Sequence, residues 1–98
     1  MTITKTNENG VLTYKIEGRI NTLTASELEE AIFDIDKVKD LVFDFKNLEY
    51  ISSAGLRILL KVEKTMAHKG SFKVINVNDA VYEVFEITGF TDILKIER

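Results

Sequence analysis

The chain has 98 residues, 45% of them hydrophobic and 30% charged, which is enough for one domain with one core over residues 1–98. It has no cysteine and one histidine, His68, which excludes disulfides, thiolate catalysis and zinc sites built from cysteines or several histidines. The net charge is −3 with no basic run, so nucleic acid is not an expected partner.

Neither a signal peptide nor a membrane span is predicted. The N-terminal residues contain no apolar segment of signal-peptide length, and no window approaches the roughly 20 apolar residues of a membrane-crossing helix. We therefore expect a cytoplasmic protein that binds other proteins and does not bind membranes.

A β-hairpin is predicted to open the fold. Residues 3–6 and 11–16 flank Asn9-Gly10, and residues 11–16 alternate between apolar and polar. Gly18 is expected to end the second strand. Residues 24–27 then read as a capping box for a first helix. Its apolar stripe is formed by Leu28, Ala31, Ile32 and Ile35.

The middle of the chain predicts a buried strand and a longer helix. Residues 41–45 are apolar at nearly every position, which is typical of an interior strand, although Asp44 interrupts one face. A second helix follows residues 47–51 and is expected to end at Gly70. Its broad apolar face consists of Leu56, Ile58, Leu59, Leu60, Val62, Met66 and Ala67.

The last third predicts one more strand and one more helix. Residues 72–77 form the strand, Asn78 and Asp79 cap the helix, and Gly89 ends it. The helix is expected to pack through Val81, Val84, Phe85 and Thr88. With a short strand or turn at residues 93–96, the order is ββαβαβα plus a tail. This order predicts an α/β fold with a mixed sheet of four to five strands and three to four helices.

Catalysis is not indicated by the polar residues. The carboxylates of the first helix and its end have no nucleophile or metal partner nearby and are typical of a solvated face; they are Glu27, Glu29, Glu30, Asp34 and Asp36. His68 lies a full helix, about 20 Å, from Ser52 and Ser53, which excludes a serine–histidine pair. No phosphate-binding loop, dinucleotide fingerprint or serine-hydrolase elbow is present. We expect a non-enzymatic protein without a cofactor or metal.

The turn before the second helix carries the strongest functional signal. Ser52 and Ser53 stand where a serine often serves only as an N-cap. A phosphoryl group at the same place would meet free helix amides and the positive end of the helix dipole, and would add nearly two negative charges. Ala54 and Gly55 keep bulk away from the hydroxyl. The residues alone leave both interpretations open.

Residues 47–60, NLEYISSAGLRILL, resemble the core motif of the anti-sigma factor antagonist family, the STAS domain. Residues 18–28, 69–77 and 84–94 also resemble the corresponding parts of the family, so the likeness covers essentially the whole chain. The resemblance implies a STAS-like mixed sheet and a regulatory, partner-switching function.

In that function, the resemblance implies that the unphosphorylated protein binds an anti-sigma factor that is also a serine kinase. The kinase phosphorylates a serine at the start of the second helix, and a metal-dependent serine phosphatase restores it. On this chain the acceptor is Ser53, with Ser52 as the fallback. The free protein is expected to be a monomer.

The resemblance also indicates a contact surface for the partner. It consists of Arg19, Asn21, Thr22, Tyr50, Ser52, Ser53, Ala54, Gly55, Leu56 and Arg57. Three positions that are usually acidic in the family are here Arg19, Asn21 and Ser52, so the cognate kinase and pathway stay open. The alternative is a non-phosphorylated scaffold or small-ligand module of a larger complex, such as a transporter, with Ser53 only as a cap.

Overall fold

A computed structural model describes residues 1–32 and 35–98, without the side chain of Asp36. Its strands are β1 (Thr2–Glu8), β2 (Val11–Ile20), β3 (Asp40–Asp44), β4 (Leu48–Ile51), β5 (Ser71–Ile75) and β6 (Lys95–Ile96). Its α-helices are α1 (Thr22–Ala31), α2 (Ser53–Met66) and α3 (Asp79–Thr88), with short 3₁₀ turns at Ile35–Lys37 and Phe90–Asp92. The predicted α/β class is confirmed, and the described residues contain six strands where four to five were expected. The carboxylates of Asp34 and Asp36 lie outside the described part of the chain.

One mixed sheet holds the fold together, with the strand order β1-β2-β3-β5-β6 and β4 beside β2. Strands β1 and β2 are antiparallel, as the hairpin signal predicted, and the other pairs are parallel. The prediction that Gly18 ends the second strand was wrong. β2 passes through an irregularity between Gly18 and Arg19 and continues to Ile20. Its first half pairs with β3 and its last three residues pair with β4, which was not predicted as a strand.

Helix α1 begins earlier than predicted. Its N-cap is Asn21, whose Oδ1 accepts hydrogen bonds from the amides of Leu23 at 2.9 Å and Thr24 at 3.0 Å. The Thr24 hydroxyl accepts a hydrogen bond from the Asn21 amide at 2.8 Å, so the capping box spans residues 21–24 and not residues 24–27. The same hydroxyl donates to the Arg19 carbonyl oxygen at 2.8 Å. These bonds fix the first turn of α1 against the end of β2.

The core lies between the sheet and the helices and is centred on aromatic side chains. Phe43 is completely buried, and its ring lies 5.0 Å from Phe72 and 5.7 Å from Tyr14, measured between centroids. Most of the predicted helical faces are buried as expected, including Leu28 and Ile32 of the first and Leu56, Ile58, Leu59, Val62 and Met66 of the second. Ala67 and Thr88, however, are exposed because each lies at or beyond the last turn of its helix.

Both ends of α3 were predicted correctly, whereas the predicted end of α2 was wrong. α3 has its N-cap at Asn78 and ends at Gly89 with a positive φ of 80°, both as expected. α2 ends at Met66 and does not continue to Gly70. Gly70 instead lies against the backbone of Lys39, whose carbonyl oxygen accepts a hydrogen bond from the Ser71 amide at 2.7 Å. A glycine is required there because a Cβ would overlap that carbonyl oxygen.

Candidate functional site

The ends of β2 and β4 bring the two predicted parts of the site together. These strands are parallel, so the loops that follow them emerge at the same edge of the sheet. The Ser52 amide donates a hydrogen bond to the Ile20 carbonyl oxygen at 2.8 Å, which joins the two loops directly. The start of α1 and the start of α2 therefore lie side by side.

The two serines of the turn have different surroundings. Ser52 is the N-cap of α2, is half-buried, and its Oγ accepts a hydrogen bond from the Gly55 amide at 3.4 Å. Ser53 is the first residue of the helix and is exposed. Within residues 1–32 and 35–98 its hydroxyl makes no hydrogen bond. Ser52 thus has the capping role, and the Ser53 hydroxyl faces solvent.

The next residues anchor the helix and do not form surface. Gly55 and Leu56 are buried, and Ala54 is half-buried against the core. Buried atoms cannot contact a docking protein, so the contact role predicted for Gly55 and Leu56 is not carried into the proposal below. Gly55 instead lets α2 approach the sheet, because a Cβ there would lie 2.7 Å from the side chains of Ile20 and Ile51.

Replacing Gly55 with alanine is expected to lower the free energy of unfolding by about 2 kcal/mol, since the added methyl forces two buried isoleucines to move. Ser53→Ala is the matched control, because Ser53 is exposed and two residues away. Urea unfolding of both variants measures the difference. Equal stabilities would contradict the packing described for Gly55.

The remaining predicted contact residues lie at the ends of β2 and β4 and in the early turns of α1 and α2. Arg19 and Tyr50 are register partners across β2 and β4, and the Arg19 guanidinium carbon lies 4.6 Å from the centre of the Tyr50 ring. Arg57 is exposed, one turn along α2 from Ser53. Thr22 lines a shallow groove between α1 and α2 together with Ala25, Ser26, Glu29, Ala54, Arg57, Ile58 and Lys61. Asn21 is half-buried and serves as the cap of α1.

Leu23 is a further exposed residue at the start of α1 that was not among the predicted contact residues. It lies in the first turn of α1 and is 82% exposed. A helix turns about 100° per residue, so Leu23 is about 140° away from Leu28 and off the buried stripe. That angular offset is the sequence signal that could have identified it.

The described residues offer neither a metal site nor a membrane-crossing helix. No group of three His, Asp or Glu side chains is placed to hold a metal ion within the described ranges. Among the helices of those ranges, none has the length and apolar character needed to cross a membrane. His68 is exposed after the end of α2, away from the serines at its start.

Comparison with known proteins gives a consistent family. The chain matches the family model of the STAS domain over residues 2–98. BtrV of Bordetella bronchiseptica, a proposed anti-sigma factor antagonist, is 36% identical over 99 residues, which cover 98% of this chain and 85% of BtrV.

Solved structures show the same fold. An anti-sigma factor antagonist from Mycobacterium paratuberculosis superposes with a TM-score of 0.91 at 26% identity, covering 98% of this chain and 84% of that one. The anti-sigma factor antagonist SpoIIAA of Bacillus, in its unphosphorylated form, gives 0.81 at 15% identity, covering 97% of this chain and 87% of SpoIIAA, and has also been solved phosphorylated. The chain thus belongs to the STAS domain family, and its relatives include anti-sigma factor antagonists.

Proposed function

We propose that the protein is an anti-sigma factor antagonist that acts by partner switching in the cytoplasm. In its unphosphorylated form it binds an anti-sigma factor that is also a serine kinase, so that a sigma factor is released. Phosphorylation of Ser53 ends this binding, and a metal-dependent serine phosphatase restores it. The protein performs no catalysis of its own in this cycle.

The proposal is carried by the exposed Ser53 hydroxyl at the first position of α2. The amides of the first helical turn have no partners within the helix, and the dipole is positive there, so a phosphoryl group is stabilised at this end. SpoIIAA, which shares the fold, has been solved in a phosphorylated form, and this supports phosphorylation as the modification.

Ser52 is less suited to accept the phosphoryl group. Its oxygen already accepts the Gly55 amide, and its own amide is bonded to Ile20. A kinase acting on Ser52 would have to reach a half-buried oxygen that already accepts the Gly55 amide, whereas the Ser53 hydroxyl is exposed. We therefore retain Ser53 as the acceptor and Ser52 as the fallback.

The experiment is a phosphorylation assay with site mapping. Anti-sigma factors with a kinase domain, purified one at a time from the same genome, are incubated with the full chain and ATP, and the modified residue is identified by mass spectrometry. We expect one phosphoryl group, at Ser53. Ser53→Ala should abolish the transfer. Ser52→Ala should retain it while losing about 1 kcal/mol of stability with the N-cap.

Two outcomes of the phosphorylation assay would contradict Ser53 as the acceptor. Transfer at Ser52 alone would move the switch to the fallback position. If none of these kinases modifies the chain, the switching proposal fails. A partner that co-purifies in equal amount and is unaffected by Ser53→Asp would then favour a permanent docking module of a larger complex.

A further inference from the structure

Two exposed arginines lie close to the start of α2, and among the described residues neither has an ionic partner. Arg19 is at the end of β2 and Arg57 is one turn after Ser53 in α2. In the described ranges neither guanidinium forms an ion pair, whereas Lys61, one turn beyond Arg57, is paired with Glu29 at 2.5 Å. The chain as a whole carries a net charge of −3, so this is a local cationic area on an acidic protein.

Arg19 is held in position before any partner arrives. Its guanidinium stacks on the Tyr50 ring at 4.6 Å, and its carbonyl oxygen accepts the Thr24 hydroxyl at 2.8 Å. Glu49 adjoins Tyr50 in β4 and is also exposed, but among the described residues it forms no ion pair with Arg19. A side chain fixed in this way loses little conformational entropy when it binds.

Leu23 adds an apolar element to the same area. It is 82% exposed, and its amide is bonded to Asn21, two residues from Arg19. The neighbouring Thr22 faces the groove that Ala54 and Arg57 also line, so the start of α1 adjoins the start of α2. An exposed leucine on a fixed helical turn is a ready contact for an apolar recess of another protein.

We infer that Arg19, Leu23, Tyr50 and Arg57 form a cationic docking surface for an acidic partner. The partner presents carboxylates opposite the two guanidiniums and an apolar recess for Leu23. The inference rests on the proposed function, because the partner is the kinase that modifies Ser53. Beyond the proposed function, the inference specifies that the kinase contacts the docking surface through an acidic surface of its own.

The docking surface also explains how a phosphoryl group would end the binding. Ser53 and Arg57 are four residues apart in α2 and therefore adjacent on the helix surface. A phosphoryl group adds a charge of nearly −2, which offsets the two guanidiniums. The surface then no longer attracts carboxylates, and the phosphate oxygens repel them.

The test measures association with the kinase identified in the phosphorylation assay, with ADP in place of ATP so that Ser53 stays unmodified. We expect Arg19→Glu and Arg57→Glu each to slow association about 10-fold at low salt. Lys95→Glu is the matched control, because Lys95 is an exposed lysine in β6, at the far edge of the sheet. It should change the rate by less than about twofold.

Leu23→Ala tests the apolar contact separately. It should shorten the lifetime of the complex about 10-fold, since contacts of this kind act mainly on dissociation. Ile87→Ala is its control, because Ile87 is 77% exposed on α3 and outside the docking surface. Both residues are exposed, so neither substitution is expected to affect folding.

The outcomes separate this inference from the proposed function. If both arginine variants associate as fast as Lys95→Glu while Ser53→Asp still prevents binding, the cationic surface is wrong and the switch survives. Faster association of the arginine variants would show a basic partner and also overturn the inference. If no kinase modifies Ser53, the proposed function fails first and the inference fails with it.

Discussion

Ser53→Asp is expected to weaken binding of the cognate anti-sigma factor kinase by about 30-fold, which corresponds to roughly 2 kcal/mol. The aspartate places a permanent negative charge near Arg19, Tyr50 and Arg57, where the proposed acidic partner would approach. Ser53→Ala should bind as the wild type does, because it only removes an exposed hydroxyl. Titration calorimetry with ADP present measures both affinities.

Thr6→Asp is the control for the added charge. Thr6 is exposed on β1, which pairs with β2 on the side away from β3. The two aspartate variants have the same net charge, so a general effect of charge would weaken both equally. If Ser53→Asp and Thr6→Asp bind the kinase with equal affinity, a switch at Ser53 is contradicted. In the presence of ATP, Ser53→Ala should stay bound while the wild type is released.

Gly70→Ala is expected to produce the largest loss of stability, about 3 kcal/mol or more. The new Cβ would overlap the Lys39 carbonyl oxygen and lie 2.6 Å from the carbonyl carbon. That oxygen also accepts the Ser71 amide, so the clash falls on the backbone where β5 begins beside β3. Backbone atoms in a sheet cannot turn aside as a flexible side chain can.

Gly10→Ala is the matched glycine substitution. Gly10 has a positive φ of 81°, but a Cβ there meets nothing within 4 Å. Its cost is therefore limited to backbone strain, about 1 kcal/mol. Thermal and urea unfolding of both variants compare the two effects. A Gly70→Ala protein as stable as the Gly10→Ala protein would show that the two backbones are not in close contact.

Local signals account for the parts of the fold that the sequence predicted well. Asn9-Gly10 marks the hairpin, and Asn78 and Gly89 mark the ends of α3 with capping residues that act on their own helix. The apolar periodicity of α2 likewise predicts its buried face, because the spacing reflects the geometry of a single helix.

The errors occur where the sequence offers two local options and a contact in the fold decides between them. Both Asn21 and Thr24 can cap a helix, and the choice of Asn21 goes with the bond from Thr24 to the Arg19 carbonyl oxygen. Gly18 is a plausible strand end, but pairing with β4 extends β2 beyond it. The pairing of β2 with β4 joins segments that are distant in sequence, so a local window does not show it.

In the candidate site, too, the sequence predicted the local features and missed those that depend on packing in the folded chain. The sequence placed Ser52 and Ser53 at the start of α2, which is a local property. It could not orient that first turn, whose rotation is fixed by packing against Ile20 and Ile51. The separate environments of the two serines therefore became visible only in the folded chain.

The hydrogen bond from the Ser52 amide to the Ile20 carbonyl oxygen bears on how modification of Ser53 would affect a bound partner. It ties the turn to the end of β2, so the turn cannot open without breaking this bond. We expect modification of Ser53 to change what the surface attracts more than it changes the shape of the surface. The larger movement that follows the signal is then expected in the binding protein.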